Sequence, residues 1–230
     1  MTDLHTHILP GMDDGARTEE EALSLLRLQA QQGVNTVALT PHFYARRESA
    51  TSFLDRREGA WQQLLGAATG SMYPKLVLGA EVAWMPGMVQ WEELNSLCYQ
   101  GTNILLVELP MAPWTDSVFQ ELNSLESRRG VIPMIAHIDR YLYCQSKKDI
   151  ERLLALGYPV QVSAEALFRF YTRKKALDLL KDYDGLLISD CHDLLDRRPN
   201  IMRAMKIAEK KLGHRATRKL VSMTDEILMI

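Results

Sequence analysis

Short apolar runs rich in β-branched residues alternate along the chain with longer segments in which apolar residues recur at helical spacing. Seven of these runs have the length and composition of buried strands. They cover residues 3–7, 34–39, 75–79, 103–107, 131–136, 158–162 and 185–189. Because a helical crossover between two strands makes them parallel, the alternation predicts an α/β fold built from βα units.

The first helical segment has the clearest boundaries. Thr18 and Glu21 have the spacing of a capping box with Thr18 as the N-cap, and Gly33 provides a natural end. Apolar residues form a stripe at helical spacing between these limits. The other predicted helices cover residues 50–68, 86–97, 116–129, 147–156, 166–182 and 198–212.

The seven predicted strands are one fewer than a standard (β/α) barrel contains. The chain has 230 residues and shows no linker, internal repeat or low-complexity stretch. A single barrel commonly occupies this length. We therefore predict one domain that spans residues 1–230.

The charge balance gives no sign of a nucleic-acid or membrane-surface partner. The formal net charge is −2, and basic pairs such as Arg46-Arg47 alternate with acidic residues. We interpret these pairs as solvated helix faces. No apolar run approaches the ~20 residues of a membrane span. Direct membrane insertion is therefore not expected, and any membrane association would come through a partner.

Cysteine usage and the start of the chain indicate a cytoplasmic protein. The cysteines are Cys98, Cys144 and Cys191, an odd number without a CxxC pair, as is typical of a reducing compartment. The chain begins almost at once with the strand-like Asp3-Leu4-His5, which leaves no room for a signal peptide.

Histidines and carboxylates recur at the ends of the predicted strands. Five of the six histidines lie there, and six of the seven strand ends carry a potential metal ligand. The residues are His5, His7, His42, Glu81, Glu108, His137, Asp190 and His192. Parallel strands in a barrel bring these ends to one face, where barrel enzymes keep their chemistry. Any one of them alone would be interpreted as a hydrogen-bonded structural residue, but the set predicts a metal cluster.

The spacing within this set suits several divalent ions. In His5-Thr6-His7 and Asp190-Cys191-His192 the two ligands point the same way, because strand side chains alternate with a period of two. Asp14, in the loop after the first strand, adds another carboxylate. Imidazoles with carboxylates suit manganese, iron or zinc. Glu165 is expected to begin a helix and His214 to be exposed.

In this order the motifs resemble the polymerase and histidinol phosphatase (PHP) superfamily. They are His5-Thr6-His7, Asp13-Asp14-Gly15, Thr40-Pro41-His42, Gly79-Ala80-Glu81, Ala136-His137-Ile138-Asp139-Arg140-Tyr141 and Ser189-Asp190-x-His192. More narrowly, the chain resembles the bacterial manganese-dependent protein tyrosine phosphatases of capsule and exopolysaccharide operons. Asp139 stands where that family usually has Glu, at a position not expected to bind metal.

The resemblance implies a distorted seven-stranded (β/α) barrel and a site for two to three ions, with Mn²⁺ preferred and iron or zinc as alternatives. The implied ligands are His5, His7, Asp14, His42, Glu81, Glu108, His137, Asp190 and His192. It also implies that Arg140 and Arg197 bind phosphate, which a planar guanidinium does bidentately.

The implied reaction is hydrolysis of a phosphate monoester by attack of metal-activated hydroxide on phosphorus. A tyrosine leaving group has a pKa of about 10 and needs little protonation. His42 or a metal-bound water would supply any acid assistance. The implied partner is a phosphotyrosine protein, a membrane-associated bacterial tyrosine kinase that controls polysaccharide synthesis.

Three other functions use the same residues differently. A PHP-type phosphatase for histidinol phosphate or another small molecule would keep the metals. A non-catalytic regulator that docks on a kinase would not need the complete ligand set. DNA polymerase proofreading also occurs in the superfamily, but it is disfavoured because the sequence shows no polymerase region or basic groove beside the predicted barrel.

A thiol mechanism is a further alternative, because Cys191 and Arg197 have the C-x5-R spacing of thiol-dependent tyrosine phosphatases. Such a loop wraps its backbone N–H groups around the phosphate. Here it contains two aspartates and no glycine, which disfavours an anion. Cys191 also alternates with Asp190 and His192, so we expect it to point away from the metals as a small buried residue.

Overall fold

The computed structural model describes residues 1–68 and 72–228, and the described residues form nine strands in three parallel sheets. The first sheet has the order β1-β2-β4, the second β3-β5-β6-β7, and the third β8-β9. The strands are β1 (Thr2–Thr6), β2 (Thr36–Leu39), β3 (His42–Phe43), β4 (Lys75–Leu78), β5 (Glu81–Ala83), β6 (Ile104–Glu108), β7 (Ile132–Ile135), β8 (Gln161–Ser163) and β9 (Leu186–Ile188). Parallel pairing and the α/β class are as predicted, whereas the seven-stranded barrel is not confirmed.

The extra strands arise because two of the predicted runs continue into a second short strand. β2 ends at Leu39 and β3 begins at His42, while β4 ends at Leu78 and β5 begins at Glu81. Pro41 has no N–H to donate to a ladder, which accounts for the first break. At the second, Gly79 packs so closely that an added Cβ would lie 3.0 Å from the Tyr99 ring.

Short backbone contacts join the edges of the three sheets. Ile135 at the end of β7 forms an isolated parallel bridge with Val160, just before β8. Thr6 in β1 forms another with Cys191, just after β9. The N–H of His7 donates to the carbonyl of Cys191 at 2.9 Å. These contacts hold the carboxyl ends of the first and last strands side by side.

The helices follow the predicted order closely. They are α1 (Glu19–Gln31), α2 (Ala50–Ala67), α3 (Asp116–Arg129), α4 (Ile138–Tyr141), α5 (Lys147–Leu154), α6 (Phe170–Asp182), α7 (Ile201–Leu212) and α8 (His214–Ile227). The Glu21 N–H donates to Thr18 Oγ1 at 3.2 Å, as the capping box predicts, although the Glu21 carboxylate accepts from the N–H of Arg17.

Two parts of the helix prediction were wrong. Residues 86–97 contain two 3₁₀ turns, Met88–Gln90 and Leu94–Leu97, because Trp91 between them is extended with ψ 130°. The sequence also gave no prediction for α8, which packs against β1 and β9. Within the described residues, no helix is both long and apolar enough to cross a bilayer.

Strand side chains alternate between two apolar clusters. In β6, Leu105 and Val107 pack in the larger cluster with the helices, whereas Ile104 and Leu106 pack in a smaller one with Leu4. The buried Tyr99 hydroxyl donates to the carbonyl of Leu4 at 2.7 Å. Because apolar residues cover both faces of the strands, the carboxyl ends of the strands are where polar residues can gather.

Candidate metal centre

The nine ligands implied by the sequence motifs lie together at the carboxyl ends of the strands. Seven of them form three groups whose donor atoms all lie within 4.8 Å of one another. The groups are His7, Asp14, His42 and His192; His5, His7 and Glu81; and His42, Glu81 and Glu108. Because His7, His42 and Glu81 each belong to two groups, the three groups form one continuous cluster.

Glu81 lies at the centre of the cluster. Its carboxylate oxygens lie 3.1 Å from His5 Nε2, 3.2 Å from His7 Nε2, 2.9 Å from His42 Nδ1 and 2.8 Å from His137 Nε2. Burial alone would raise the pKa of Glu81, but the surrounding imidazoles, His5 first, hold it well below its usual range. Glu81 therefore remains a carboxylate in a fully buried position.

His137 and Asp190 lie beside the three groups rather than within them. His137 Nε2 is 3.8 Å from Glu108 Oε1, and Asp190 Oδ1 is 3.7 Å from His5 Nε2 and 3.6 Å from His7 Nε2. Both residues have left-handed backbones, with φ of 30° at His137 and 52° at Asp190. The chain turns at these strand ends and directs both side chains toward the cluster.

Two buried polar residues hold the imidazoles of the first strand, and sequence reasoning missed both. His5 Nδ1 is 2.8 Å from Gln161 Oε1, and His7 Nδ1 is 2.7 Å from Asp13 Oδ2. Asp13 also accepts a hydrogen bond from the N–H of His42 at 2.8 Å. Such partners fix ring orientation around metals. The sequence signals that could have revealed these two residues were a polar residue in a buried strand and the two adjacent aspartates of the loop.

The rings of His7 and His192 stack with centroids 3.8 Å apart, so a charge on one disfavours a charge on the other. Burial opposes protonation of His7, but hydrogen bonds to Asp13 and Glu81 raise its pKa to about 10. Burial and the charge of His7 lower the pKa of His192 to about 3. Without a bound metal the proton therefore resides on His7 rather than on His192, and a cation bound by His7 would displace that proton, because a metal-binding imidazole is neutral.

Asp14 reaches the cluster from the solvent side. It is 65% exposed, and its Oδ1 lies 3.6 Å from His42 Nε2 and 3.5 Å from His192 Nε2. The loop that carries it folds back so closely on β1 that a Cβ at Gly15 would lie 1.9 Å from the carbonyl oxygen of His7. Glycine is therefore required at position 15 to place Asp14.

Arg140 and Arg197 converge on the same carboxylate oxygen. Arg140 Nη2 donates to Asp190 Oδ2, and Arg197 Nη2 donates to that oxygen at 2.8 Å. Both arginines line a pocket of about 550 Å³ that also contains Asp190. Tyr143 and Tyr171 line the same pocket, are 55% and 64% exposed, and meet edge to face with centroids 6.5 Å apart.

The residues set aside by sequence reasoning lie outside the cluster. Asp139 accepts a hydrogen bond from the N–H of Ser163 at 2.8 Å. Glu165, in a 3₁₀ turn, pairs with Arg169 at 2.6 Å. His214 is 69% exposed and is the first residue of α8.

Cys191 has the environment of a core residue. It is fully buried, and its Sγ is 3.5 Å from Gln29 Nε2 on α1. Burial raises the pKa of its thiol far above the usual range. A nucleophilic thiol needs the opposite shift, so the environment of Cys191 disfavours the thiol mechanism. The prediction that Cys191 is a small buried residue is confirmed.

The donor set of the cluster fits divalent cations. It offers five imidazoles, four carboxylates and no thiolate, which suits manganese, iron and zinc. Asp190 Oδ1 and His192 Nε2 are buried without a hydrogen-bond partner in the described part of the chain. Unsatisfied buried donors and acceptors are costly unless something binds them, and cations held here would satisfy both.

Comparison with known proteins gives a family and a fold. The family model described as capsular polysaccharide synthesis, CpsB/CapC, matches residues 1–229. The chain is 26% identical to tyrosine-protein phosphatase CpsB of Streptococcus pneumoniae over 96% of this chain and 94% of that protein. It is also 26% identical to tyrosine-protein phosphatase YwqE of Bacillus subtilis (strain 168), over 93% and 85%.

The fold is similar to a chain from the crystal structures of YwqE from Bacillus subtilis and CpsB from Streptococcus pneumoniae, which are described as metal-dependent tyrosine phosphatases. The TM-score is 0.82 at 23% identity, with coverage of 100% of this chain and 94% of that chain. At this identity the match establishes the fold.

Proposed function

Because the chain belongs to the CpsB/CapC family of capsular polysaccharide synthesis, we propose that it is a metal-dependent protein tyrosine phosphatase. The relatives carry that activity in their names, and the resemblance inferred from the motif order is confirmed at the family level. The observation that carries the proposal is the placement of two arginines directly beside a cluster of nine metal-donor side chains.

The ligands that we propose are His5, His7, Asp14, His42, Glu81, Glu108, His137, Asp190 and His192. They would hold two or three ions, with manganese as our first choice. Divalent ions bound there would supply Lewis acidity and make hydroxide available near neutral pH. Both ring nitrogens of His42 face carboxylates, Glu81 and Asp14, which favours a ligand role. Its role as a proton donor to the leaving group stays a prediction.

Arg140 and Arg197 are the groups that we propose for binding the phosphate oxygens. In the structure Asp190 holds both guanidinium groups at one end of the pocket. A phosphate monoester there would accept hydrogen bonds from the same planar donors, which stabilise charge on the transferring phosphoryl group. Asp190 would then act as the residue that orients the arginines.

The rim of the pocket favours an aryl phosphate over a small polar substrate. Tyr143 and Tyr171 expose their rings beside the arginines, and Met111 is 54% exposed in the same lining. Such a surface can pack against the ring of a phosphotyrosine whose phosphate lies between the arginines. Tyrosine is also a good leaving group, since its pKa of about 10 lies well below that of an alcohol.

We propose further that the substrate is a phosphorylated bacterial tyrosine kinase at the membrane, and that this chain meets it from the cytoplasm. Three free cysteines agree with a reducing compartment. We also propose that the chain is one domain and that its three sheets form the distorted seven-stranded barrel. The two continued strands and the bridges at Thr6 and Ile135 support that arrangement.

The test is an assay of the purified protein on a phosphotyrosine peptide, a phosphoserine peptide and histidinol phosphate, each with Mn²⁺ and with a chelator. We expect Mn²⁺-dependent hydrolysis of the phosphotyrosine peptide that the chelator abolishes and that Cys191→Ser leaves intact. Preference for histidinol phosphate would indicate a phosphatase of small-molecule metabolism. Activity that resists chelation and is lost in Cys191→Ser would replace the metal mechanism by the thiol mechanism.

A further inference from the structure

A groove along α7 has a lining that contains cations and no acidic side chain. Its volume is about 810 Å³, and its apolar lining includes Leu28, Leu194 and Ile207. The cationic residues are Arg173, Arg198, Arg203, Lys206, Lys210 and Lys211. In a chain with a formal net charge of −2, this is a local concentration of positive charge.

Two of these six cationic side chains contact neighbouring residues of the chain, and the other four are free to bind a partner. Arg173 donates to the carbonyls of Leu167 and Phe168, and the Arg203 guanidinium lies 4.2 Å from the centroid of the Phe168 ring. The remaining cations are exposed and form no ion pair with any described residue. These are Arg198, Lys206, Lys210 and Lys211.

Hydrogen bonds hold α1 against the start of α7 beside the groove, which distinguishes it from an ordinary solvated helix face. Gln32 at the end of α1 donates to the carbonyl of Pro199 at 2.8 Å. Its Oε1 accepts from the N–H of Met202 at 3.1 Å. These bonds tie α1 to the start of α7, so Leu28 on α1 and the cations on α7 keep their relative positions.

The groove adjoins the candidate active site. Asn200 lines both the groove and the pocket that contains Arg140 and Arg197. Arg197 in the pocket and Arg198 in the groove are consecutive residues. A polypeptide whose phosphorylated side chain enters the pocket can therefore continue directly into the groove.

We propose that this groove binds an acidic segment of the substrate protein next to the phosphorylated tyrosine. The inference rests on the proposed phosphatase function and adds a sequence preference to it. α7 has 12 residues and is about 18 Å long. About five residues of extended chain span that length at ~3.3 Å each, so the acidic residues would lie within roughly six positions of the tyrosine.

A polypeptide fits this surface better than an anionic membrane does. The cations line a groove together with apolar residues, and a flat bilayer surface would contact only the outer edge of a groove. An extended chain can place carboxylates beside the cations and apolar side chains against Leu28 and Ile207. Charge complementarity of this sort accelerates association and selects among partners.

The experiment compares three phosphotyrosine peptides on the Mn²⁺-loaded protein. They share one core and carry several glutamates before the tyrosine, several after it, or glutamines on both sides. Lys206→Gln/Lys210→Gln removes two cations from the groove. Arg215→Gln/Arg218→Gln removes two exposed cations from α8 that do not line it. p-Nitrophenyl phosphate reports the activity that does not involve the groove.

We expect one acidic peptide to have a KM about fivefold lower than the glutamine peptide at low salt, with the same kcat, as a few exposed ion pairs would give. The α7 variant should lose most of this advantage, and about 0.5 M salt should do the same to the wild type. The α8 variant should keep it, and p-nitrophenyl phosphate kinetics should be the same in all three proteins.

Equal KM values for the three peptides would overturn the groove proposal and leave the phosphatase function intact. Failure to hydrolyse any phosphotyrosine peptide, with good hydrolysis of another phosphomonoester, would overturn the proposed function itself. Binding to phosphatidylglycerol vesicles that Lys206→Gln/Lys210→Gln abolishes, without an effect on KM, would assign the groove to a membrane and overturn the peptide proposal.

Discussion

Among the carboxylates of the cluster, Glu81 contacts the most imidazoles. Four imidazoles lie within 3.2 Å of its carboxylate, and the strand that carries it starts at this residue. A neutral amide would keep the volume of the side chain and remove the negative charge that attracts cations to the cluster. The effects of Glu81→Gln therefore distinguish a role of this residue in metal binding from a role in folding.

We predict that Glu81→Gln lowers kcat/KM by at least about 100-fold, the size expected when a main electrostatic contact is lost. Calorimetric titration with Mn²⁺ should show weaker or fewer binding events, while circular dichroism of the folded protein stays unchanged. Glu58→Gln, on the exposed face of α2, is the matched control. Wild-type Mn²⁺ binding in Glu81→Gln would remove Glu81 from the ligand set.

The cysteines provide a second prediction at this scale. Cys98 is 4% exposed, and burial raises its pKa to about 11, while burial raises the pKa of Cys191 further. Thiols with raised pKa values are mostly protonated and unreactive near pH 8. Alkylation of the native protein at about pH 8 should therefore label Cys144 first and leave phosphatase activity unchanged. Mass spectrometry locates the label, and activity loss in proportion to labelling of Cys191 would contradict the prediction.

The residues of the cluster could be predicted from the sequence because all of them except Asp14 lie at the end of a recognisable strand. The residues that orient them could not, since Gln161 acts through a contact between distant segments and Asp13 through the way its loop folds back on β1. Gln161 meets His5 across 156 positions of the chain. Asp13 and Asp14 are adjacent and chemically identical, and only the geometry of the loop distinguishes them. Asp13 contacts His7, whereas Asp14 lies near His42 at the exposed edge of the cluster.

At the level of elements, local patterns predicted six of the seven proposed helices and the seven strand regions. The breaks at Pro41 and Gly79 were not predicted, because each strand resumes after two residues and the apolar pattern hardly changes. α8 was missed because its sequence is strongly charged. Its apolar face is narrow, with Thr217, Leu220 and Thr224 as the buried positions.

The position of α8 predicts a structural role without a catalytic one. Leu220 is 3% exposed, and Thr2 Oγ1 on β1 donates to Asp225 Oδ1 at 2.7 Å. We expect Leu220→Ala to lower the free energy of unfolding by about 2–4 kcal/mol, as deletion of a buried leucine side chain usually does. Urea denaturation measures this change.

The matched substitution Met223→Ala, at a partly buried residue of the same helix, should have a smaller effect. In both variants kcat on a phosphotyrosine peptide should remain within about twofold of wild type, since α8 contributes no group to the cluster. A large loss of kcat in a fully folded Leu220→Ala protein would show that α8 does more than support β1.

For the whole molecule, bound cations should contribute measurably to stability. A ligand present at about 100 times its Kd stabilises the folded state by about 2.7 kcal/mol, and about 2–4 °C of Tm accompanies each kcal/mol at this chain length. We therefore predict that chelation lowers Tm by about 5–10 °C and that added Mn²⁺ restores it. Differential scanning calorimetry checks this, with Glu81→Gln as a variant that should respond less. An unchanged Tm on chelation would contradict the prediction.

Strain is distributed unevenly over the described backbone. Its non-glycine residues with positive φ are His137, Asp184 and Asp190, and two of these three border the metal cluster. A left-handed conformation costs an L-residue about 1–2 kcal/mol, which glycine avoids. Glycine at position 137 or 190 would relax the backbone while deleting a proposed metal ligand. In the absence of metal, selection for heat resistance alone would therefore favour glycine at these two turns, at the expense of the proposed metal site.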